Sequence, residues 1–131
     1  MTGTFEYEKG DVREIPDFNV FFRHHATYPY PSDAIWFLTQ MRRWGQIAEP
    51  KSDDWYMKTA AQVYRADIYR EAARSLITDG TLSADDFPDL DAENFQRPYQ
   101  GELIDGVTFT PRTPNAYIDS FDIGLKGQQT P

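Results

Sequence analysis

The chain has 131 residues, a net charge of −8, 15% aromatic residues and no cysteine. That length suits one domain, and the ring content excludes a disordered chain despite the acidity. Disulfides, thiolate metal sites and a cysteine nucleophile are excluded, and so is a nucleic-acid partner, because the basic residues are scattered and Arg42-Arg43 is their only adjacent pair.

In chain order, Phe5 and Tyr7 alternate with Glu6 before Lys9-Gly10-Asp11, the pattern of a short strand or hairpin arm. The N-terminal residues show neither the basic nor the apolar region of a signal peptide, and no apolar run is long enough for a membrane span. The stretch from Phe18 to Tyr30 reads as extended, since Pro16, Pro29 and Pro31 oppose a helix around them. Ser32 then reads as an N-cap with Asp33 at the positive helix end, and Ile35, Phe37, Leu38, Met41 and Trp44 follow at helical spacing until Gly45. A second helix is predicted from Ser52 or Asp53 to about Tyr64, and a third from Arg65–Asp67 to Asp79-Gly80. In the third, Ile68, Tyr69, Ala72, Ala73, Leu76 and Ile77 form the apolar stripe.

Ser83-Ala84-Asp85-Asp86 offers one capped turn. The segment from Phe87 to Gly101 reads as an ordered loop anchored by Phe87, Leu90, Phe95 and Tyr99. Asp105-Gly106 between apolar arms signals a short hairpin, and Thr113-Pro114 opens a short helix through Tyr117 and Ile118. Residues 1–123 thus form one domain, and residues 124–131 a mobile tail.

Few residues suggest chemistry. In an extended segment, His24 and His25 point to opposite faces and do not converge on one ion. With two histidines in all, a three-histidine zinc site is impossible. The acidic group Asp85, Asp86, Asp89, Asp91 and Glu93 is interrupted by Pro88 and lacks the glycine of a calcium loop, so a solvated loop is preferred over a metal site. No nucleophile elbow and no phosphate-cradling glycine loop is present. The expectation is a protein that is not an enzyme, with no metal and no cofactor. The aromatic run Phe18, Phe21, Phe22, Tyr28, Tyr30, Trp36 and Phe37 reads as core, or as core that faces another lobe; in the latter case an apolar patch favours self-association.

Three blocks carry a family resemblance. They are Thr4–Tyr7 with Lys9-Gly10-Asp11; Tyr28-Pro29-Tyr30-Pro31-Ser32 through Trp36-Phe37-Leu38-Thr39-Gln40 to Arg43-Trp44-Gly45; and Tyr64–Ala73 followed by Asp105–Phe109 and Pro114–Tyr117. In this order they resemble the C-terminal segment of the nitrate- and bicarbonate-type solute-binding proteins of ABC importers. The resemblance implies an α+β, mostly α fold of three main helices and short β arms, the C-terminal lobe portion of a type II periplasmic-binding fold. It implies a part in capturing a small oxyanion (nitrate, nitrite or bicarbonate) for a membrane permease, in an extracytoplasmic setting. The alternative is a free-standing interaction or regulatory anion-sensing module that associates with itself or with a complementary receptor fragment; related domains fused to the transporter ATPase act as regulatory anion sensors, which is the cytoplasmic setting. The partners implied are the remaining receptor lobes or a complementary chain, and the permease through the intact receptor. In such receptors the groups gripping the anion lie mainly upstream, so no ligand residue is carried over; His24, His25 and Thr27 are the only polar candidates to border a cleft.

Overall fold

The computed structural model describes residues 4–14, 22–98, 103 and 105–123. Its first element is an antiparallel hairpin of β1 (Thr4–Glu8) and β2 (Asp11–Glu14), with Thr4 opposite Glu14 and Glu6 opposite Val12. A register shift between Glu6 and Glu8 marks a bulge. Gly10 closes the turn at φ 92°, a left-handed conformation that glycine adopts without steric cost.

Three main helices follow, α1 (Pro31–Arg43), α2 (Asp53–Val63) and α3 (Ala66–Thr78), then a short α4 (Pro114–Ile118). Both predicted glycine stops hold. Gly45 (φ 77°) ends α1, with Gln46 N–H donating to the Met41 carbonyl and Gly45 N–H to that of Arg42; Gly80 (φ 76°) ends α3 with the same bonding to Leu76 and Ile77. The N-cap of α2 is also as read, since Ser52 Oγ accepts from Trp55 N–H at 3.2 Å. Ser83 caps a single 3-10 turn, Ala84–Asp86, through a reciprocal bond with Asp86.

The start of α1 differs from its prediction. The helix begins two residues earlier, at Pro31, whose missing N–H is harmless in the first turn, and Tyr30 rather than Ser32 stands in the cap position, without a side-chain bond. Ser32 N–H is taken by the Phe95 carbonyl instead, and Ser32 Oγ accepts from Arg97 N–H. The extended reading of Phe18–Tyr30 also needs correction: residues 15–21 lie outside the described residues, while Arg23–His25 forms a 3-10 turn with His24 and His25 at φ 59° and 56°. Left-handed backbone at two successive residues breaks the strand alternation on which the opposite-faces argument rested. The hairpin predicted at Asp105-Gly106 is a turn only, in which Asp105 Oδ1 accepts from Val107 N–H; no strand pairs there among the described residues. Tyr99 and the tail from Gly124 also lie outside the described residues.

The core sits where α1, α2 and α4 meet and is built from Ala34, Ile35, Tyr56, Ala60, Phe109, Tyr117 and Ile118. A buried polar seam joins α1 to α4: Gln40 Nε2 donates to Tyr117 Oη, and Arg43 donates to Gln40 Oε1 while its guanidinium lies 3.5 Å over the Phe121 ring. Asn115 ties α4 to the start of α2 by donating twice to Asp53 Oδ1. The third helix is held differently. Tyr69 packs edge-on against Tyr28 and Phe87, and Arg70 donates to the carbonyls of Ala92 and Glu93. Its predicted stripe is only partly inside, with Ala73 buried but Ile68 and Ala72 exposed.

Two predictions arise from this packing. Tyr56 is fully buried at the core, and its hydroxyl has no hydrogen-bond partner; burial pushes its pKa up. Replacing it with phenylalanine should therefore raise stability by about 1 kcal/mol, seen as a higher midpoint of thermal unfolding, because an unmet buried hydroxyl carries a desolvation cost. At the start of α3, the bidentate bond from Arg65 holds the Asp67 carboxyl down at about 2. A depressed carboxyl stabilises the fold above its unfolded pKa and loses that contribution as pH falls through the folded value. NMR titration of Asp67 should thus give a midpoint of about 2 in the wild type and a return toward the ordinary carboxylate range in Arg65→Gln.

Candidate functional site

Beside the first two turns of α1 lies a cleft of about 930 Å³, walled by Trp36 and Phe37 on the helix and by Val107–Pro111 on the facing loop. Tyr64, at the end of α2, and Gln96-Arg97 complete its rim. The helix places Ser32, Asp33, Trp36 and Phe37 here because positions three and four apart share one face.

One charged pair stands at the mouth. Arg97 donates through Nε and Nη2 to Asp33 Oδ2 at 3.1 and 2.7 Å, and both side chains are about one-quarter exposed. The guanidinium also lies 4.6 Å over the ring of Tyr30, a cation–π contact. Burial raises the Tyr30 phenol, and nearby Arg97 works against that rise. Loop 95–97 therefore clamps the start of α1 through three backbone or side-chain links, to Ser32 and Asp33. No spacing in the sequence pairs position 33 with position 97; Asp33 was visible only as a helix-start acid.

Chemically the cleft is an apolar slot with a neutralised rim. Among the described lining residues Arg97 is the only cation, and Asp33 already compensates it. A volume at the upper end of the usual range for organic ligands also exceeds what a triatomic or tetraatomic anion fills. The Trp36 indole N–H is buried and has no acceptor.

The sequence-derived candidates lie elsewhere. His24 is exposed, His25 half-buried, and Thr27 exposed with its hydroxyl 3.2 Å from Tyr69 Oη. They sit on the turn before α1, and none of them lines the cleft. The acidic residues of 85–93 serve local structure: Asp86 caps the Ser83 turn, Asp91 pairs with Arg74, and Glu93 pairs with Arg112. Among the described residues no group of three potential ligands is placed to hold a metal ion, and no helix is long and apolar enough to cross a membrane.

Comparison with known proteins gives a consistent set of relatives. Over 121 residues the chain is 35% identical to the nitrate import ATP-binding protein NrtC of Synechocystis sp., a match covering 90% of this chain and 16% of that protein. Over 129 residues it is 33% identical to the nitrate/nitrite binding protein NrtA of Synechococcus elongatus, covering 96% of this chain and 25% of that one. The bicarbonate-binding protein CmpA of Synechococcus elongatus is 30% identical over 102 residues, 77% of this chain and 21% of its own length. The chain thus spans a quarter or less of the length of these relatives. No family model and no solved structure matches it.

Proposed function

Because the chain belongs, as a segment, to the nitrate/bicarbonate-type solute-binding protein family of ABC transporters, we propose that it is a non-catalytic scaffold or permease-docking part of a receptor for a small oxyanion. In this reading it forms the C-terminal lobe portion of a type II periplasmic-binding fold and works outside the cytoplasmic membrane. The observation that carries the reading is the extent of the match, 96% of this chain against a nitrate/nitrite binding protein. The cleft is compatible with a scaffold role, since its one cation is already paired and leaves no free positive group for an oxyanion among the described lining residues. The anion would then be gripped by parts of the receptor that the chain does not span, with His24, His25 and Thr27 as candidates from this segment. Closure of the lobes around the anion is the signal that a permease reads.

A second reading has its own observation. The match to a nitrate import ATP-binding protein covers 90% of the chain, which favours a regulatory anion-sensing module attached to, or associating with, a transporter ATPase. Isothermal calorimetry of the purified chain with nitrate, nitrite and bicarbonate separates the two. The scaffold reading expects no saturable heat from the folded chain. Saturable binding overturns it and supports the sensing module.

A further inference from the structure

We propose that the outward face of α1, together with the cleft at its start, is a docking surface for the part of a family receptor that this chain does not span. The proposal deepens the scaffold reading above and rests on it for the identity of the partner. Its physical basis is the way α1 is turned. Phe37, Met41 and Trp44 are 55%, 37% and 61% exposed, and they stand at i, i+4 and i+7, in one row along the helix. The two arginines of the last turn go the other way. Arg42 is buried on the carbonyls of Ile47 and Ala48, and Arg43 lies over Phe121. A surface helix in water puts its charges outside and its rings inside; this one does the reverse along the stripe.

Single exposed apolar residues are ordinary, but a row of three large ones that runs into an apolar slot marks an interaction surface. Phe37 belongs to both the row and the cleft. A polypeptide with apolar side chains suits the row and the slot it runs into.

The relatives say which polypeptide. At least three quarters of the nitrate/nitrite binding protein and more of the nitrate import ATP-binding protein lie outside the match, so in each a large body of the same chain is available to cover this face. A second copy suits the surface less well. Each copy carries a net charge of −8, and the row itself holds no cation to offset that repulsion.

The test uses the full 131-residue chain and, as probe, the Synechococcus elongatus nitrate/nitrite binding protein deleted of the stretch that matches it, the two expressed together. The expected result is a one-to-one complex by light scattering, while the undeleted receptor, whose own segment fills the site, does not bind. Phe37→Ser with Trp44→Ser should weaken the complex by about 30-fold or more, as for residues at the centre of an interface, without changing the helical circular dichroism. Ile68→Ser, an equally exposed position on α3, should leave binding within about twofold. Absence of a complex, a probe that stays insoluble beside the wild-type chain, equal binding by the double variant, or a homodimer that the double variant dissolves each overturns the proposal. Calorimetry with nitrate, nitrite and bicarbonate on the complex is the separate readout. A complex that forms but takes none of these anions leaves the docking surface intact and overturns the oxyanion reading.

Discussion

Replacing Ile35 with alanine should remove about 2–5 kcal/mol of unfolding free energy, the usual range for a buried aliphatic truncated to alanine. Ile35 is 0% exposed and belongs to the cluster in which α1 meets α2 and α4. Its neighbours there include Tyr56 and Ala60 from α2 and Tyr117 and Ile118 from α4. Three elements constrain the site, so the structure cannot collapse into the space left by the lost atoms without moving a helix. The cost then includes both the lost burial and the cavity. A domain of this size holds about 5–15 kcal/mol in all, so the variant is expected to lose a large share of it. Urea titration followed by circular dichroism checks this: the midpoint should fall with little change in slope. Ile68→Ala, on the exposed side of α3, is the matched control and should change stability by less than about 0.5 kcal/mol. A loss below about 1 kcal/mol at Ile35 would place the core somewhere other than this three-helix junction.

The contrast between Ile35 and Ile68 also shows how far the sequence could be read. Both occupy apolar positions on strongly periodic helices. Periodicity, with Ser52, Gly45 and Gly80 as start and stop signals, gives the three main helices and their ends, because these signals are local backbone chemistry. Which apolar face is covered depends on neighbours far away in the chain, and local pattern carries no information about them. Phe37, Met41 and Trp44 follow Ile35 and Leu38 at helical spacing, yet Ile35 is buried and these three stand exposed. The Ser32 cap failed for a related reason. Its hydroxyl and N–H are engaged by Arg97 and Phe95, more than sixty positions away, and a tertiary partner displaced the local cap. The left-handed turn at His24-His25 escaped notice because neither residue is the glycine or asparagine that usually announces such a backbone. At the cleft, Trp36 and Phe37 belong to an aromatic run that reads as core or as core facing another lobe, and in the structure they wall the cleft. The Asp33–Arg97 clamp was not legible, since an ion pair between a helix start and a distant loop leaves no spacing to recognise.

Arg42 is the residue for which sequence and structure lead to the most different expectations. As one of two adjacent arginines in the last turn of a helix it reads as a solvated cation that complements the helix dipole, and removing such a group usually changes stability by less than about 0.5 kcal/mol. In the structure it is only 9% exposed, and its guanidinium donates to the carbonyls of Ile47 at 3.0 Å and Ala48 at 2.7 Å. Those two residues lie on the segment that leads from α1 to α2, so Arg42 fixes the angle at which the second helix enters the core. Arg42→Ala leaves two carbonyls without their charged donor, and its expected cost is about 2–3 kcal/mol. Both bonds leave from one nitrogen, Nη1, so a lysine ammonium, a compact group with three donors, is expected to recover part of this. The check is urea unfolding of the alanine and lysine variants beside Arg43→Ala. An alanine variant within about 0.5 kcal/mol of wild type would mean that Arg42 is a solvated surface residue, and that the junction between α1 and α2 is held by the aliphatic contacts of Ile35 and Ala60 alone.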